Sequence, residues 1–240
     1  MSCTVNPNAT PLWPSTPVED MLAVPSAAGE PGSGGAGPTG RLMEFAGALV
    51  RAVEARDPYT RCHAEHVAFY AERLAEHLQL PISTRQSIRL AALLHDVGKI
   101  AVPRSVLTKP GPLSSVELAF IRQHPSTGGD ILEQTSPMSI EAALVRQHHE
   151  RWDGSGYPDG LCGEAISVGA RIINVADSMD AMLMHRTYKH TLTVEQMLDE
   201  LQRCAGTQFD PVLAAAAAQW CRDNASKLFL PDNAARAASA

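Results

Sequence analysis

No uninterrupted apolar run of about 18 residues, the length a membrane-spanning helix requires, occurs in the 240-residue chain. The N-terminus also lacks the charged start and apolar segment of a secretory signal. Cysteine is sparse and unpaired in pattern: Cys3, Cys62, Cys162, Cys204 and Cys221 form an odd set with no Cys-x-x-Cys. That spacing argues against a disulfide framework and against a thiolate zinc site. Positive charge is in deficit, with 20 Lys and Arg against 26 Asp and Glu and a formal net charge of -6. A grip on duplex nucleic acid through its phosphates is therefore excluded as a first reading. The expectation is a soluble cytoplasmic protein without a membrane span, able to hold a small anion only if metals supply positive charge.

What is present is one sizeable core and a loose arm. Residues 1–40 are rich in Pro, Gly, Ser, Thr and Ala and bury too little apolar surface to offset their ordering entropy, so they read as a disordered arm. Forty residues are too few for a sensor domain, so regulation is expected to come from a partner, oligomerisation or metal redox state. From 41 to 230 the apolar spacing is helical and the reading is all-α, with 231–240 a frayed tail. Leu42, Phe45, Leu49 and Val53 make one face of a first helix, interrupted at Asp57-Pro58. His63, Val67, Tyr70, Leu74 and Leu78 stripe a second, ending before Pro81. A third spans about 84–97, with Ile88, Ala92 and His95 on one face and Gly98 as its stop. A capping box, Ser114 and Glu117, opens the next, where Leu113 can staple onto Leu118. Pro125 places His124 at a bend. Ile140, Leu144 and His148 line a further helix, which runs into HHERWDGSGYPDG at 148–160. Ala170 to about Met184 is helical, with Asp177 and Asp180 on one side. Thr193 and Gln196 form a second capping box, and GTQFDP at 206–211 breaks the last helical pair.

His63, His95, His148 and Asp177 fall on the apolar faces of separate helices. Four buried polar groups are costly unless they meet and satisfy one another, and a metal centre is the common explanation. Imidazole and carboxylate donors without thiolates suit iron, manganese, zinc or nickel, with Asp96 or Asp177 as a bridge. His124, His148 and His149 are donors for a second ion, provided the helix ends or distorts at the His148-His149 pair. Two cations about 3.5–4 Å apart can clamp a phosphodiester and lower the pKa of water toward about 7.

LLHDVGKI at 93–100, HPSTGGDIL at 124–132, QHHERWDGSGYPDGLCGEAI at 147–166 and ARIINVADSMDAM at 170–182 resemble the successive motifs of the HD-GYP domain, a subclass of the HD metal-dependent phosphohydrolases. The resemblance covers roughly 45–215. It implies a helical bundle holding two metal ions, iron or manganese, that hydrolyses cyclic di-GMP to pGpG and onward to GMP in some members. By the same resemblance His63, His95, Asp96, His124, His148, His149 and Asp177 are metal ligands, and Asp96 and Lys99 are the catalytic residues. The resemblance further implies that Lys99, Tyr157, Arg186 and Lys189 contact substrate and that Asp153 and Asp180 support the site from behind; Glu150, read from its position alone, can orient a ligand histidine or form a surface salt bridge. Relatives with three metals carry a Glu just ahead of the first histidine, whereas Tyr59 stands four positions before His63, so two metals are expected. Two other readings remain: a regulatory module that docks on diguanylate cyclases or sensor proteins, and a hydrolase of another nucleotide such as cyclic GMP-AMP. Whether the chain forms a homodimer is left open.

Overall fold

The structure, a computed structural model, describes residues 38–56, 62–135, 138–184 and 191–228. Among the described residues the chain forms ten α-helices and no strand, as the apolar periodicity predicts. The first, α1 (Pro38–Glu54), begins inside the stretch whose composition reads as a loose arm. Its buried stripe is Ala46, Val50 and Val53, while Phe45, expected on the core face, is 46% exposed. Small residues at i, i+4 and i+7 allow close approach to a neighbouring helix, which the Phe45 stripe would not.

That neighbour is α3 (Ile82–Leu94), which also packs on α2 (His63–His77). The expected extent of 84–97 is corrected here: α3 ends at Leu94 with His95 as its C-cap, and 97–101 tightens into a 3-10 turn. Gly98 does not act as a helix stop. A Cβ there would overlap the carbonyl oxygen of His124 and come within 2.6 Å of the Gly128 nitrogen, so glycine is required by close backbone approach.

After the short α4 (Arg104–Leu107), α5 (Ser115–Arg122) starts at the predicted box, with the Glu117 N–H donating to Ser114 Oγ at 3.3 Å and the Ser114 N–H to the Glu117 carboxylate at 2.7 Å. No residue of α5 is buried, and Leu118, expected to staple, is 39% exposed. A single residue, Gln123, separates it from α6 (His124–Glu133). Pro125 therefore helps start a helix rather than bend one; in the first turn its missing N–H removes no hydrogen bond.

Next come α7 (Ser139–Gln147), α8 (Val168–Leu183), α9 (Val194–Arg203) and α10 (Pro211–Asp223). Ile140, expected to line α7 inward, is 42% exposed, and Ala142, Leu144 and Val145 are buried instead. The second capping box forms between Thr193 and Gln196. The frame is built by α2 against α3 and α8, and by α6 against α7 and the 97–101 turn. Tyr70, Ile88, Leu94, Ile172, Ile173 and Met179 are fully buried in it. Each such side chain contributes roughly 1.5–3 kcal/mol relative to exposure, which makes a stiff mount for the helix ends between them.

Candidate metal centre

Three histidines stand at helix ends. His95 caps α3, His148 caps α7, and His124 follows α5 as the first residue of α6. In each, Nδ1 lies against the carbonyl three residues earlier: Ala92 at 2.7 Å, Val145 at 2.6 Å and Ile121 at 2.8 Å. These carbonyls belong to last helical turns, whose carbonyls lack the regular helical N–H partners. A carbonyl only accepts, so Nδ1 carries the proton and Nε2 presents a lone pair. Burial pushes His124 down to about 3 and His148 well below the ordinary histidine range, so both rings are neutral.

The lone pairs converge. His124 Nε2 and His148 Nε2 are 3.3 Å apart, Asp96 Oδ1 is 3.4 Å from His124 Nε2, and Asp96 Oδ2 is 3.5 Å from His95 Nε2. Two acceptors facing each other without a proton between them repel, and a cation shared by them relieves that repulsion. Asp96 stays ionised: burial opposes its charge, but the positive charge around it, the Lys99 ammonium foremost, holds its carboxyl well below the usual range.

His63 is held differently. Its Nδ1 lies 2.6 Å from Asp180 Oδ2 and its Nε2 lies 3.3 Å from Asp177 Oδ1. Burial alone would lower its pKa, but the hydrogen bonds to Asp177 and Asp180 prevail and raise it to about 9. Asp177 and Asp180 are one turn apart on α8, which puts both on the face that meets α2. His149 sits in the turn directly after α7, its ring 4.1 Å from that of His148 and 5.0 Å from that of His124. Adjacent histidines thus share one centre because the helix ends between them.

Three sets of donor atoms each fit within 4.8 Å: His63, His95 and Asp177; His95, Asp96 and His148; His124, His148 and His149. All seven expected ligands are therefore brought together, in overlapping sets suited to more than one ion. Among the described residues no thiol joins these sets, and Cys62 beside His63 is exposed. The donor set fits imidazole- and carboxylate-binding divalent metals.

Lys99 lies on the 97–101 turn, where residues i and i+3 eclipse, and its ammonium donates to Asp96 Oδ2 at 2.8 Å. The Tyr157 ring stacks on His149 with centroids 5.0 Å apart and planes 29° from parallel. A Cβ at Gly156 would overlap the Arg151 nitrogen, so only glycine lets the loop fold back there. Glu150 holds this loop, Oε1 accepting from the N–H groups of Asp159 at 2.7 Å and Gly160 at 3.1 Å. Asp153 fixes the loop's first turn by accepting from the Ser155 N–H at 2.9 Å. Arg186 and Lys189 lie outside the described residues, as does Tyr59.

Sequence reasoning assigns no role to three residues that the structure brings to the centre. His66 places Nδ1 2.9 Å from Asp180 Oδ1; its position three residues after His63 on α2 was the available signal. Asn174, one turn before Asp177 on α8, donates to the carbonyls of His148 at 2.8 Å and Glu150 at 3.3 Å. A lone polar residue within an otherwise apolar stripe marks it. Arg122 lies over the Tyr157 ring, 5.5 Å from its centroid, and nothing in its sequence context marks that contact.

A helical bundle whose helix ends gather histidines and aspartates around a His95-Asp96 pair defines a class, the metal-dependent phosphohydrolase fold. The family model described as HD domain matches residues 38–213. The chain belongs to the HD-domain family, and its motifs place it in the HD-GYP subclass. It is 44% identical over 173 residues to the cyclic di-GMP phosphodiesterase response regulator RpfG of Xanthomonas campestris, covering 71% of this chain and 46% of the relative. Over 187 residues it is 41% identical to 3'3'-cGAMP-specific phosphodiesterase 2 of Vibrio cholerae, with 77% and 36% covered. The cyclic di-GMP phosphodiesterase of Thermotoga maritima is 38% identical over 177 residues, with 73% and 48% covered. The chain thus spans less than half the length of these relatives. Among solved structures, a cyclic GMP-AMP phosphodiesterase of V. cholerae (V-cGAP3) superposes with a TM-score of 0.61 at 19% identity, covering 81% of this chain and 52% of the other. That likeness concerns the fold. Among the described residues no helix is long and apolar enough to cross a membrane.

Proposed function

We propose that this chain is a metal-dependent phosphodiesterase that hydrolyses cyclic di-GMP to pGpG, with residues 41–230 as its catalytic domain between an N-terminal arm and a C-terminal tail. The observation that carries the reading is the convergence of His124 Nε2 and His148 Nε2 at 3.3 Å with the Asp96 carboxylate, 3.4 Å from His124 Nε2 and 3.5 Å from His95 Nε2. His63, His95, Asp96, His124, His148, His149 and Asp177 would hold two divalent ions, iron or manganese. Bound there, the ions would supply positive charge to the diester and make water more acidic.

The remaining work falls to the chain's own side chains. Asp180 and the three helix-end carbonyls orient the imidazoles, so the donors are in place before substrate arrives. Lys99, one turn from Asp96, is positioned to exchange its ammonium onto a phosphoryl oxygen as charge builds there. The loop carrying Tyr157 walls one side of the centre and limits the entry of water. Resemblance to relatives named for cyclic di-GMP favours that substrate. A second reading, hydrolysis of 3'3'-cyclic GMP-AMP, is favoured by the 41% identity to a phosphodiesterase specific for it.

The test is product chromatography. Protein purified without oxygen and loaded with iron(II) or manganese(II) is incubated with cyclic di-GMP and, separately, with 3'3'-cyclic GMP-AMP, beside Asp96→Ala. Appearance of pGpG in the wild type alone supports the reading, turnover of only the mixed dinucleotide transfers it to the second, and no product from metal-loaded protein refutes both.

A further inference from the structure

Tyr157 contacts two protein groups. His149 stacks on its ring at 5.0 Å between centroids, and the Arg122 guanidinium lies over the ring at 5.5 Å from its centroid. The tyrosine thus joins these two groups. At one end is an imidazole of the metal centre; at the other is a cation held at the rim.

The cation itself is uncommitted. Arg122 is exposed and forms no hydrogen bond or ion pair among the described residues, whereas Arg146 is spent on Asp159 and Lys99 on Asp96. It closes α5, two residues before His124, so its backbone is tied to the centre while its head group faces solvent. A planar guanidinium resting on an aromatic ring is pre-organised: the contact restricts its rotamers and leaves its N–H edge free. That arrangement suits bidentate capture of an anion.

We infer that Arg122 binds the phosphodiester of a cyclic dinucleotide that is not being cleaved, using Tyr157 as its platform. The inference rests on the proposed function and adds to it a specificity-determining residue. A cyclic dinucleotide carries two phosphodiesters in one ring, so placing one at the histidine cluster leaves the second anionic beside the rim of an acidic protein. Arg122, braced on Tyr157 and unpaired among the described residues, supplies a cation for that second charge. Small diesters with a single phosphate have no second anion to offer.

The experiment compares wild type, Arg122→Gln and Arg122→Lys, all loaded to equal measured metal content, in steady-state hydrolysis of cyclic di-GMP. Binding of its non-hydrolysable phosphorothioate analogue is measured by calorimetry. Loss of one charge-assisted contact predicts a rise in KM and in the analogue's Kd of about tenfold for Arg122→Gln. The effect on kcat should be smaller, and Arg122→Lys should recover only part of the loss. KM and Kd within twofold of wild type, or a fall confined to kcat, would overturn the inference. Wild type is run in parallel on bis(4-nitrophenyl) phosphate and on 3'3'-cyclic GMP-AMP. Turnover of these without cyclic di-GMP would refute the proposed substrate but leave Arg122 to be judged by the same ratios on the mixed dinucleotide. If the wild type binds no cyclic dinucleotide, the inference falls.

Discussion

The carboxylate of Asp180 meets Nδ1 of His63 at 2.6 Å, joining α8 to α2 across 117 positions of sequence. That contact turns Nε2 of His63 toward Asp177. Asp180→Asn keeps the shape but removes the charge that orients the ring. Metal affinity should fall about 10- to 100-fold, the usual cost of losing a carboxylate behind a ligating histidine. Competition titration against a chromophoric chelator measures it, and an unchanged affinity would remove Asp180 from the centre.

The Asn174 side chain donates to the carbonyls of both His148 and Glu150. Asn174→Ala leaves these carbonyls without that donor in a buried setting, and should cost about 1–3 kcal/mol of stability. Urea unfolding of the metal-free protein gives the value. A midpoint equal to the wild type's would mean that water replaces the amide without cost.

Gly98→Ala is expected to damage the fold more than its size implies. The new methyl would meet the backbones of His124 and Gly128, which cannot swing away as a side chain can. The 97–101 turn and α6 must separate, moving Asp96 and Lys99 from His124. Lower melting temperature together with sub-stoichiometric metal is the expected result; loss of neither would show that the two backbones are free to part.

Protonation gives a test with a defined sign. His63 is raised to about 9, while burial holds His124 and His149 near 3. At pH 7.5 the metal-free centre therefore carries a proton on His63 alone among these three, and ligation must expel it. Loading in weak buffer should release about one proton per chain from this residue, declining to none as pH rises through about 9. Because the folded value exceeds the unfolded one, the same group stabilises the metal-free fold below about 6.5, and that contribution disappears as pH climbs through about 9. Proton release that does not vary across this window would contradict the His63–Asp180 geometry.

The centre was legible in the sequence because its histidines occupy positions with local signals. His95 and His148 end helices whose apolar stripes can be read, and His124 begins one at a proline. Less legible was which stripe faces inward. Phe45 and Ile140 carry the more hydrophobic side chains, yet Ala46 and Val145 are buried, because partner helices select the face that allows close approach. His66 and Asn174 carry no role in the sequence reading for a related reason: each matters through a contact with a distant element, to which local periodicity is blind. Gly98 was read as a helix stop when its reason is the backbone of α6, 26 residues further on at His124.

Metal analysis of the chain tests the central claim most directly. Protein purified without oxygen from metal-supplemented culture would be assayed by inductively coupled plasma mass spectrometry, beside His124→Ala and His63→Ala. The account predicts two transition-metal ions per wild-type chain and fewer in each variant. A wild-type chain with one ion or none after reconstitution, or variants that retain the full complement, would contradict a binuclear centre built from these seven residues.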